Sequence, residues 1–408
     1  MKAINYQKIQ GNVARLTLVI IFIFSAAWNI FAQIKVPLIK ASSEKVVIKD
    51  GAHCRVDWKL DPLTKPDTYF VNIPSKKSTV VFKTDQEELA VATEPGKSYD
   101  FIVLLNNRDT CYVRMSAQLP PDLPSMDSTV QYPIRMPFRL IGSRIFLNGT
   151  INKKEVNIQV DLGAGTGVVN RNSSERLDLS FSSFTTVSNT EGVNRERTSL
   201  ENQLNIGSID WKGVSLTEVG NMKSHEDIII GNSFFRNYII EIDYDKMEFV
   251  VHRELPLKTS AYKKLPVFYE QNRPKFKAVI RHNKRQYDFW FLFDTGRDGT
   301  MLLGEDFTGK GNIWNELTPL TVINNRKIIR LDATIADLEF KDIVTNAADP
   351  VKPNGRSSLF GNHILNHFNF ILDNKAGFLY LKPNGRIKEP YSNYERYLNQ
   401  ISPSIKKN

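Results

Sequence analysis

The sequence predicts a mainly β protein, in which an N-terminal β-sandwich-like domain precedes a two-lobed domain of two pseudo-two-fold related β barrels. Two observations lead to this fold class. Strand-length apolar runs separated by Gly, Pro and Asn turns recur along the chain, and one unit of sequence beginning near residue 131 occurs twice. At 408 residues the chain is also too long for one hydrophobic core, so several domains are expected.

The first 32 residues have the pattern of an export signal. Lys2, Lys8 and Arg15 form a basic segment without acidic residues, and an apolar run follows them. We expect cleavage after Ala32, with an uncleaved signal anchor as the alternative. The apolar run is short for a membrane span. No other stretch of the chain is apolar enough, so we expect no membrane span once the signal is removed.

Residues 33–118 are predicted to form the N-terminal β domain, because runs such as KVVIKD, STVVFKTD and YDFIVLL are separated by turn residues. Both cysteines of the chain, Cys54 and Cys111, lie in it. A disulfide between them and two buried free thiols fit the sequence equally well. A Pro-rich linker at 119–130 is expected to end the domain.

The chain from 131 to 385 repeats one unit, which defines lobe 1 (131–257) and lobe 2 (258–385). Each unit has an Asp-x-Gly turn after an apolar strand, and later an apolar residue and a glycine that precede a short helix. The two copies agree in order and spacing. The matched positions are Asp161 with Asp294, Ile230-Gly231 with Phe360-Gly361, and Asn232 with Asn362, the asparagines being expected to cap the helices.

The formal net charge is +10, or +7 once the three positive charges of the signal are removed, and more than half of this +7 lies after Tyr380, mostly in residues 386–408. We expect this segment to be a solvent-exposed basic tail, with loose attachment to acidic surfaces as the alternative. No nucleic-acid partner is predicted, because the basic residues are not clustered with aromatic ones.

The two turns resemble the active-site loops of the retropepsin- and pepsin-type aspartic proteases, in the two-lobed form of exported Bacteroidetes proteins. The residues that carry the resemblance are Phe293-Asp294-Thr295-Gly296 in lobe 2 and Val160-Asp161-Leu162-Gly163-Ala164 in lobe 1. In such a dyad one carboxyl group takes a proton from water and the other gives one to the substrate carbonyl. The resemblance implies that Asp161 and Asp294 form the dyad of an exported endopeptidase, located in the periplasm, on the outer surface or outside the cell.

The resemblance also implies roles for residues around the dyad. The residues that support it are Gly163, Ala164, Thr295 and Gly296, where glycine lets backbone N–H groups approach a carboxylate. The residues beneath it are Ile230, Gly231, Phe360 and Gly361. A substrate flap is expected at 188–196, with Thr190, Glu191, Gly192 and Val193 around its tip. The family further implies a peptide or protein substrate, no metal, no cofactor, and a monomer, since one chain carries both lobes.

Two positions depart from the family pattern. Leu162 replaces the threonine that would hydrogen-bond to the other lobe, as Thr295 still can. Arg297 stands where serine or alanine is usual, and a cation aimed at the dyad would oppose proton sharing. A peptide-binding protein with weak or absent catalysis on the same two-lobed fold is therefore the alternative function.

Other motifs fit worse. The glycine-rich turn 163–167 lacks the following amphipathic helix of a dinucleotide site, and 294–305 has a glycine at a calcium-ligand position. His363 and His367 lack the glutamate that a zinc-hydrolase helix carries between its histidines. We expect these histidines to be capping or surface residues.

Overall fold

The structure is a computed structural model that describes residues 36–127, 131–189, 192–352 and 355–405. The signal sequence predicted at 1–32 lies outside these ranges, so its cleavage and the export of the chain stay predictions. Among the described residues, no helix combines the length and the apolar character that are needed to cross a bilayer.

The N-terminal residues form the predicted β sandwich. Its strands are β1 (Leu38–Ala41), β2 (Lys45–Asp50), β3 (His53–Lys59), β4 (Asp67–Phe70), β5 (Ser78–Lys83), β6 (Glu88–Thr93), β7 (Ser98–Leu105) and β8 (Asp109–Ser116). Over residues 36–127 they make two four-stranded sheets, ordered β1-β7-β8-β4 and β3-β2-β5-β6. Alternate side chains face inward from both sheets, and Phe82 and Phe101 meet edge to face in the core.

Lobe 1 is a β barrel that closes on itself. Its elements are β9 (Ser125–Met126), β10 (Ile134–Pro137), β11 (Arg139–Ile141), β12 (Arg144–Ile151), β13 (Lys154–Val160), β14 (Gly167–Asn170), α1 (Arg171–Ser174), a 3-10 helix (Glu175–Leu177), β15 (Phe181–Asn189), β16 (Gly192–Ile206), β17 (Ile209–Val219), β18 (Ile228–Ile230), a second 3-10 helix (Asn232–Phe235), β19 (Ile239–Asp243) and β20 (Glu248–His252). The barrel sheet runs β11-β12-β13-β18-β14-β17-β16-β15 and closes where β12 also pairs with β16. Strand β9, in the Pro-rich linker, pairs with β17.

Lobe 2 repeats this order. Its elements are β21 (Lys263–Glu270), β22 (Arg273–His282), β23 (Arg285–Asp294), β24 (Met301–Leu303), α2 (Glu305–Thr308), α3 (Ile313–Glu316), β25 (Thr321–Ile323), β26 (Arg326–Ile335), β27 (Leu338–Ala347), β28 (Leu359–Gly361), α4 (Asn362–Leu365), β29 (Phe368–Asp373) and β30 (Phe378–Pro383). The second barrel closes where β22 pairs with β26, as β12 pairs with β16 in lobe 1. The predicted fold class, a β sandwich followed by two pseudo-two-fold β barrels, is confirmed.

The two lobes share one sheet, whose strand order β10-β20-β19-β29-β30-β21 is symmetric about its middle. Strands β19 and β29 are antiparallel there, and Ile240 pairs with Leu372 while Ile242 pairs with Phe370. In the duplicated sequence Ile240 is the counterpart of Phe370, and Ile242 of Leu372. Each lobe therefore offers the other the same strand edge, and the pseudo-two-fold axis passes between these two strands.

The expectation that Asn232 and Asn362 cap their helices is wrong. Gly231 and Gly361 hold the N-cap positions, with extended backbone and no capping side chain, and each asparagine is the first helical residue. Both asparagine side chains are fully buried. A buried amide needs hydrogen-bond partners, and these asparagines find theirs across the molecule.

Both asparagines cross the boundary between the lobes. The Asn232 side-chain amide donates to the carbonyl of Asn272 and to the side chain of Asn374, both at 2.9 Å. In the mirrored arrangement, the hydroxyl of Tyr244 in lobe 1 donates to the side chain of Asn362 at 2.8 Å. The two repeated asparagines thus hold the lobes in a fixed relation.

The basic C-terminal segment is exposed or partly exposed over residues 386–401, but it is more ordered than a free tail. Helix α5 (Tyr394–Ile405) forms within it. Just before this helix, the carbonyl of Ser392 accepts from the N–H of Val344 at 3.1 Å, and the Tyr391 hydroxyl donates to the carbonyl of Lys341 at 3.0 Å. The segment is ordered there because it adds to the edge of β27.

The N-terminal sandwich contacts both lobes directly. The backbone carbonyl of Asn72 accepts from the guanidinium of Arg236 at 3.1 Å, and the Asn72 side chain accepts from the N–H of Tyr269 at 2.5 Å. The Arg236 guanidinium also lies over the Tyr269 ring, 3.7 Å from its centroid. The sandwich is therefore joined to lobe 1 and lobe 2 by buried polar contacts as well as by the linker.

No disulfide joins Cys54 and Cys111, because both are free thiols. Cys54 lies on β3 with an exposed side chain, whereas Cys111 lies on β8 of the opposite sheet and faces the sandwich core. The disulfide alternative is wrong, and the alternative of two buried thiols holds only for Cys111.

We expect a thiol reagent to modify one cysteine in the folded protein and both after unfolding. Cys54 is accessible, whereas burial protects Cys111 and raises the pKa of its thiol, with smaller contributions from the charges of Asp109, Asp61 and Asp67. Mass spectrometry after native labelling measures this, with Cys54→Ser as the control that abolishes the native reaction. A native protein whose two cysteines both resist labelling until reduction would contradict the assignment.

Candidate active site

The two Asp-x-Gly turns occupy equivalent places in the two lobes. Strand β13 ends just before Asp161 and runs parallel to β18, whose Ile230 carbonyl accepts the N–H of Asp161 at 2.9 Å. Strand β23 ends at Asp294, which lies beside Gly361 of the parallel strand β28. A carboxyl group from each barrel is therefore placed at the end of a buried parallel strand pair.

The structure brings the two carboxyl groups into direct contact. Asp161 and Asp294 hydrogen-bond to each other through their side chains. The N–H of Gly163 donates to Asp161 Oδ1 at 2.7 Å. The N–H groups of Gly296 and Arg297 donate to Asp294 Oδ1 at 3.1 and 2.9 Å. Each carboxyl group is thus held by the backbone of its own turn and faces the other.

Glycine is required on both turns because each turn touches the carboxyl group of the opposite lobe. A Cβ on Gly163 would lie 2.6 Å from Asp294 Cγ, and one on Gly296 would lie 2.1 Å from Asp161 Cγ. Both distances are far below any real contact. Beneath the turns, a Cβ on Gly231 would lie 2.1 Å from the carbonyl oxygen of Ala164, and one on Gly361 would lie 2.4 Å from that of Gly299.

The two carboxyl groups are in unequal electrostatic environments. Burial, followed by the charge of Asp294 and the hydrogen bond to it, raises the pKa of Asp161 well above its usual range, although the backbone N–H groups of Gly163 and Gly296 oppose this. Burial also raises the pKa of Asp294, but the charge of Arg297, the hydrogen bond from Asp161 and two backbone N–H groups oppose this. Burial therefore raises the pKa of both carboxyl groups, and the charge of Arg297 opposes this rise at Asp294.

One side chain clamps the two turns together. The Thr295 hydroxyl accepts from the N–H of Leu162 and donates to the carbonyl of Val160, both at 3.0 Å. Both Thr295 and Leu162 are fully buried. Leu162, the counterpart of Thr295 in lobe 1, has no hydroxyl and cannot make equivalent bonds to lobe 2. The contact between the two turns therefore depends on Thr295.

The side chain of Arg297 does not lie between the two carboxyl groups, which hydrogen-bond directly. It extends over the adjacent turn, with Cγ 3.1 Å from the place of a Cβ on Gly361 and Nε 3.5 Å from that of one on Gly299. Its charge acts on Asp294 from the side. Arg297 therefore biases which carboxyl group is ionised while leaving the contact between Asp161 and Asp294 in place.

The second Asp-x-Gly turn makes two contacts with lobe 1 that were not predicted from the sequence. Arg144 of lobe 1 donates to the carbonyl of Gly296 at 2.8 Å and pairs with buried Glu226 at 2.7 Å. Asp298 accepts from both the N–H and the hydroxyl of Ser143, at 3.0 and 2.7 Å. Neither residue belongs to a recognisable motif, and only the packing of the two lobes shows what they touch.

The expected flap segment forms part of a hairpin between β15 and β16, in which Asn189 pairs with Gly192. Gly192 and Val193 begin β16, and Gly192 belongs to the last pair before the tip of the hairpin. Thr190 and Glu191 lie outside the described residues, and closure of this hairpin over a substrate stays a prediction. Lobe 2 has the equivalent hairpin, β25–β26.

No group of three or more acidic, histidine or cysteine side chains in the described ranges could hold a metal ion. The expectation for His367 is wrong, because it is buried and contacts the carbonyls of Ile364 and Glu389. His363 contacts Asp298 at 3.1 Å. His363 therefore contacts a residue next to the second Asp-x-Gly turn, whereas His367 joins α4 to the C-terminal segment.

Substituting Thr295 by valine should destabilise the protein by about 1–3 kcal/mol, because the Leu162 N–H and the Val160 carbonyl would be left buried without their partner. Urea unfolding measures the loss. Thr295→Ser keeps the hydroxyl and should lose clearly less. Equal stability of the valine variant and the parent would contradict the role of this clamp.

Asp161→Asn should stabilise the fold increasingly as pH rises above the ordinary carboxyl range. The folded-state pKa of Asp161 is raised, so native Asp161 is most favourable when protonated at low pH and loses stability as pH rises toward that pKa. The advantage of the amide should grow by at most about 1.4 kcal/mol per pH unit within that window. Unfolding at a series of pH values tests this, with the exposed Asp288→Asn as control. A pH-independent difference would contradict it.

Comparisons with known proteins find similarity to aspartic proteases over part of the chain. No curated protein sequence matches the chain. Among solved structures, the aspartic proteinase from Irpex lacteus is similar with a TM-score of 0.44 and 13% identity, covering 64% of this chain and 100% of that one. The family model described as gag-polyprotein putative aspartyl protease matches residues 147–237, which include Asp161, Gly163 and Gly231. This match in lobe 1, its structural repeat in lobe 2 and the joined Asp-x-Gly turns identify the two-lobed domain as a retropepsin/pepsin-like aspartic protease fold.

Proposed function

We propose that the protein is an aspartic endopeptidase in which Asp161 and Asp294 activate a water molecule for hydrolysis of a peptide bond. The observation that carries the proposal is the direct hydrogen bond between two carboxyl groups that come from matched turns of two lobes. Such a pair of carboxyl groups shares one proton. One group can then accept a proton and the other can donate one, as hydrolysis by general acid–base catalysis requires.

The unequal environments suggest the role of each carboxyl group. Charged Asp294 takes a proton from the water as the water oxygen bonds to the substrate carbonyl carbon. Protonated Asp161 gives its proton to the carbonyl oxygen, which forms a neutral tetrahedral diol. When the C–N bond breaks, the proton on Asp294 passes to the leaving nitrogen and a diol proton returns to Asp161, which restores the starting state.

The immediate surroundings support these roles. The N–H groups of Gly296 and Arg297, together with the Arg297 charge, favour ionised Asp294. Burial favours protonated Asp161. The Thr295 clamp keeps both turns at the distance at which the carboxyl groups can share a proton. We further propose that the chain is exported through residues 1–32 and acts as a monomer, since one chain supplies both carboxyl groups.

The second candidate function is peptide binding without turnover. The observation that favours it is Leu162, which leaves the interlobe clamp with one hydroxyl instead of two. A looser pair of turns holds the carboxyl groups less firmly, and small displacements of catalytic groups reduce the rate strongly. This candidate predicts that a peptide binds to the cleft with no cleavage by the parent protein.

Asp294→Asn should abolish peptide cleavage, because an amide cannot accept a proton from water. The loss should be at least about a hundredfold in kcat, as expected when general-base catalysis is removed. Cleavage of a mixed peptide library, followed by mass spectrometry at acid and neutral pH with and without pepstatin, measures it.

Asp288→Asn is the matched control, because Asp288 lies on the same strand β23 with 59% of its side chain exposed. It should cleave as the parent does. If Asp294→Asn cleaves as fast as the control, the dyad is not the source of the activity. Peptide binding without cleavage by the parent protein would instead select the second candidate function.

A further inference from the structure

Arg144 reaches the second Asp-x-Gly turn of lobe 2 from lobe 1, where it begins β12. Its Nε donates to the carbonyl of Gly296 at 2.8 Å, and its Nη1 donates to the carboxylate of Glu226 at 2.7 Å. The Arg144 side chain is 20% exposed and that of Glu226 is 6% exposed. Both hydrogen bonds therefore lie mostly out of water, where bonds from a charged donor are strong.

Glu226 gives Arg144 a fixed anchor within lobe 1. One carboxylate oxygen of Glu226 accepts from Arg144, and the other accepts from the N–H of Lys223 at 2.8 Å. The main-chain carbonyl of Glu226 accepts from the side chain of buried Asn170 at 2.7 Å. The carboxylate is thus held by its own loop, and the guanidinium group that it binds is held with it.

The hairpin turn between β11 and β12 brings Arg144 to this place. Gly142 in that turn has a left-handed φ of 61°, and a Cβ on it would lie 2.7 Å from Asp298 Oδ2. The carbonyl of Ser143 accepts from the side chain of Asn362 in lobe 2. Because Arg144 follows directly in the chain, these contacts place the start of its side chain against lobe 2.

The Gly296 carbonyl that Arg144 binds belongs to the same peptide group as the N–H of Arg297. That N–H donates to Asp294 Oδ1 at 2.9 Å. In a planar trans peptide the C=O and the N–H point in opposite directions, so a donor that holds the carbonyl also fixes the direction of the N–H. A hydrogen bond from a cation polarises the peptide group as well, which strengthens its N–H as a donor.

Glycine at position 296 makes a constraint from outside the turn necessary. A side chain there would collide with Asp161, yet glycine restrains its own backbone angles less than any other residue does. The orientation of the peptide group that follows therefore depends on what binds it. Arg144 binds its carbonyl oxygen at 2.8 Å, and the side chain of Gln159 donates to the same oxygen at 3.4 Å.

The first Asp-x-Gly turn orients its peptide group differently. There the counterpart of the Arg297 N–H is the N–H of Ala164, which donates to the main-chain carbonyl of Asp161 at 3.0 Å. In the second turn the same N–H donates to the carboxyl group of the aspartate. The two turns have the same length, so the difference lies in how each peptide group is held.

The lobe 2 residue in the place of Arg144 is directed elsewhere. Ser143 and Asn272 are counterparts, since each carbonyl accepts from the repeated asparagine of the other lobe. The residues that follow them, Arg144 and Arg273, are therefore counterparts too. Arg273 donates to the carbonyl and to the carboxylate of Glu270 in its own hairpin, at 3.2 and 2.9 Å. The interlobe bond from this position is thus made by lobe 1.

We propose that Arg144 is a positioning residue, which orients the Gly296–Arg297 peptide group so that its N–H binds the carboxyl group of Asp294. Arg144 acts through this peptide group and not on the reacting atoms. It also gives lobe 1 the hold on the second turn that Leu162 cannot supply, just as Thr295 gives lobe 2 a hold on the first. The inference rests on the proposed peptidase function and adds a residue that its geometry depends on.

Arg144→Met keeps an apolar stem but removes the donors and the charge. It should lower kcat by about ten- to a hundredfold with KM within about twofold of the parent, because a poorly aligned catalytic group reduces the rate more than the affinity for substrate. Kinetics with peptides that the parent cleaves measure both constants, and circular dichroism gives the concentration of folded protein. Arg144→Lys, which keeps a cationic donor, should recover part of the lost kcat.

Arg139→Met is the matched control, because Arg139 lies on β11 of the same hairpin and donates to Asn157 within lobe 1 at 2.7 Å. It should keep the parental kcat. The single Arg144→Met variant leaves the buried Glu226 carboxylate unpaired, which is strongly destabilising. The double variant Arg144→Met/Glu226→Gln removes both charges and serves if the single variant does not fold. It should show the same loss of kcat.

The amide proton of Arg297 gives a readout that does not depend on cleavage. In protein labelled with 15N-arginine, its 1H chemical shift reports the strength of the hydrogen bond to Asp294, and Arg297→Lys assigns the signal by removing it. The signal should move upfield in Arg144→Met, because the N–H is then less well aimed at the carboxyl group. It should stay in place in Arg139→Met.

The outcomes separate this inference from the proposed function. A parental kcat in folded Arg144→Met overturns the positioning role and leaves the peptidase standing. A raised KM at parental kcat also overturns it, since Arg144 would then bind the substrate. If the parent protein cleaves no peptide, the proposed function fails and the Arg297 amide decides alone. An upfield shift in Arg144→Met then supports the positioning of the peptide group, and an unchanged signal overturns it.

Discussion

The structure depends on one contact, the hydrogen bond between the carboxyl groups of Asp161 and Asp294. Two acidic groups placed this close repel each other when both are ionised, so the contact persists only while one of them carries a proton. Much of the surrounding architecture serves to hold the groups there. The glycines of each turn leave room for the opposite carboxyl group, and strands β18 and β28 support the turns from below.

The lobes are held in register by contacts that repeat the same symmetry. Strands β19 and β29 pair so that equivalent residues exchange places across the axis, and Asn232 and Asn362 each bond into the opposite lobe. Arg144 and the Ser143–Asp298 pair add contacts between lobe 1 and the second turn only. The symmetric contacts thus hold the two lobes together, and the asymmetric contacts join lobe 1 to the second Asp-x-Gly turn alone.

The asymmetry of the site has a consistent direction. Thr295 and Arg297 both belong to lobe 2, and their counterparts in lobe 1, Leu162 and Ala164, are apolar. Lobe 2 therefore supplies the clamp and the positive charge, while lobe 1 supplies Asp161, whose pKa burial raises well above its usual range. The two turns are equivalent in backbone and differ in the side chains that flank each aspartate.

The sequence by itself determined the duplication, the β class of each domain and the pairing of Asp161 with Asp294, because these follow from local periodicity and from residues repeated at matched spacing. It did not determine the state of Cys54 and Cys111, the interlobe role of Asn232 and Asn362, or the direction of the Arg297 side chain. Those depend on which surfaces meet when the barrels pack, and a side chain's partner from a distant segment leaves no local pattern.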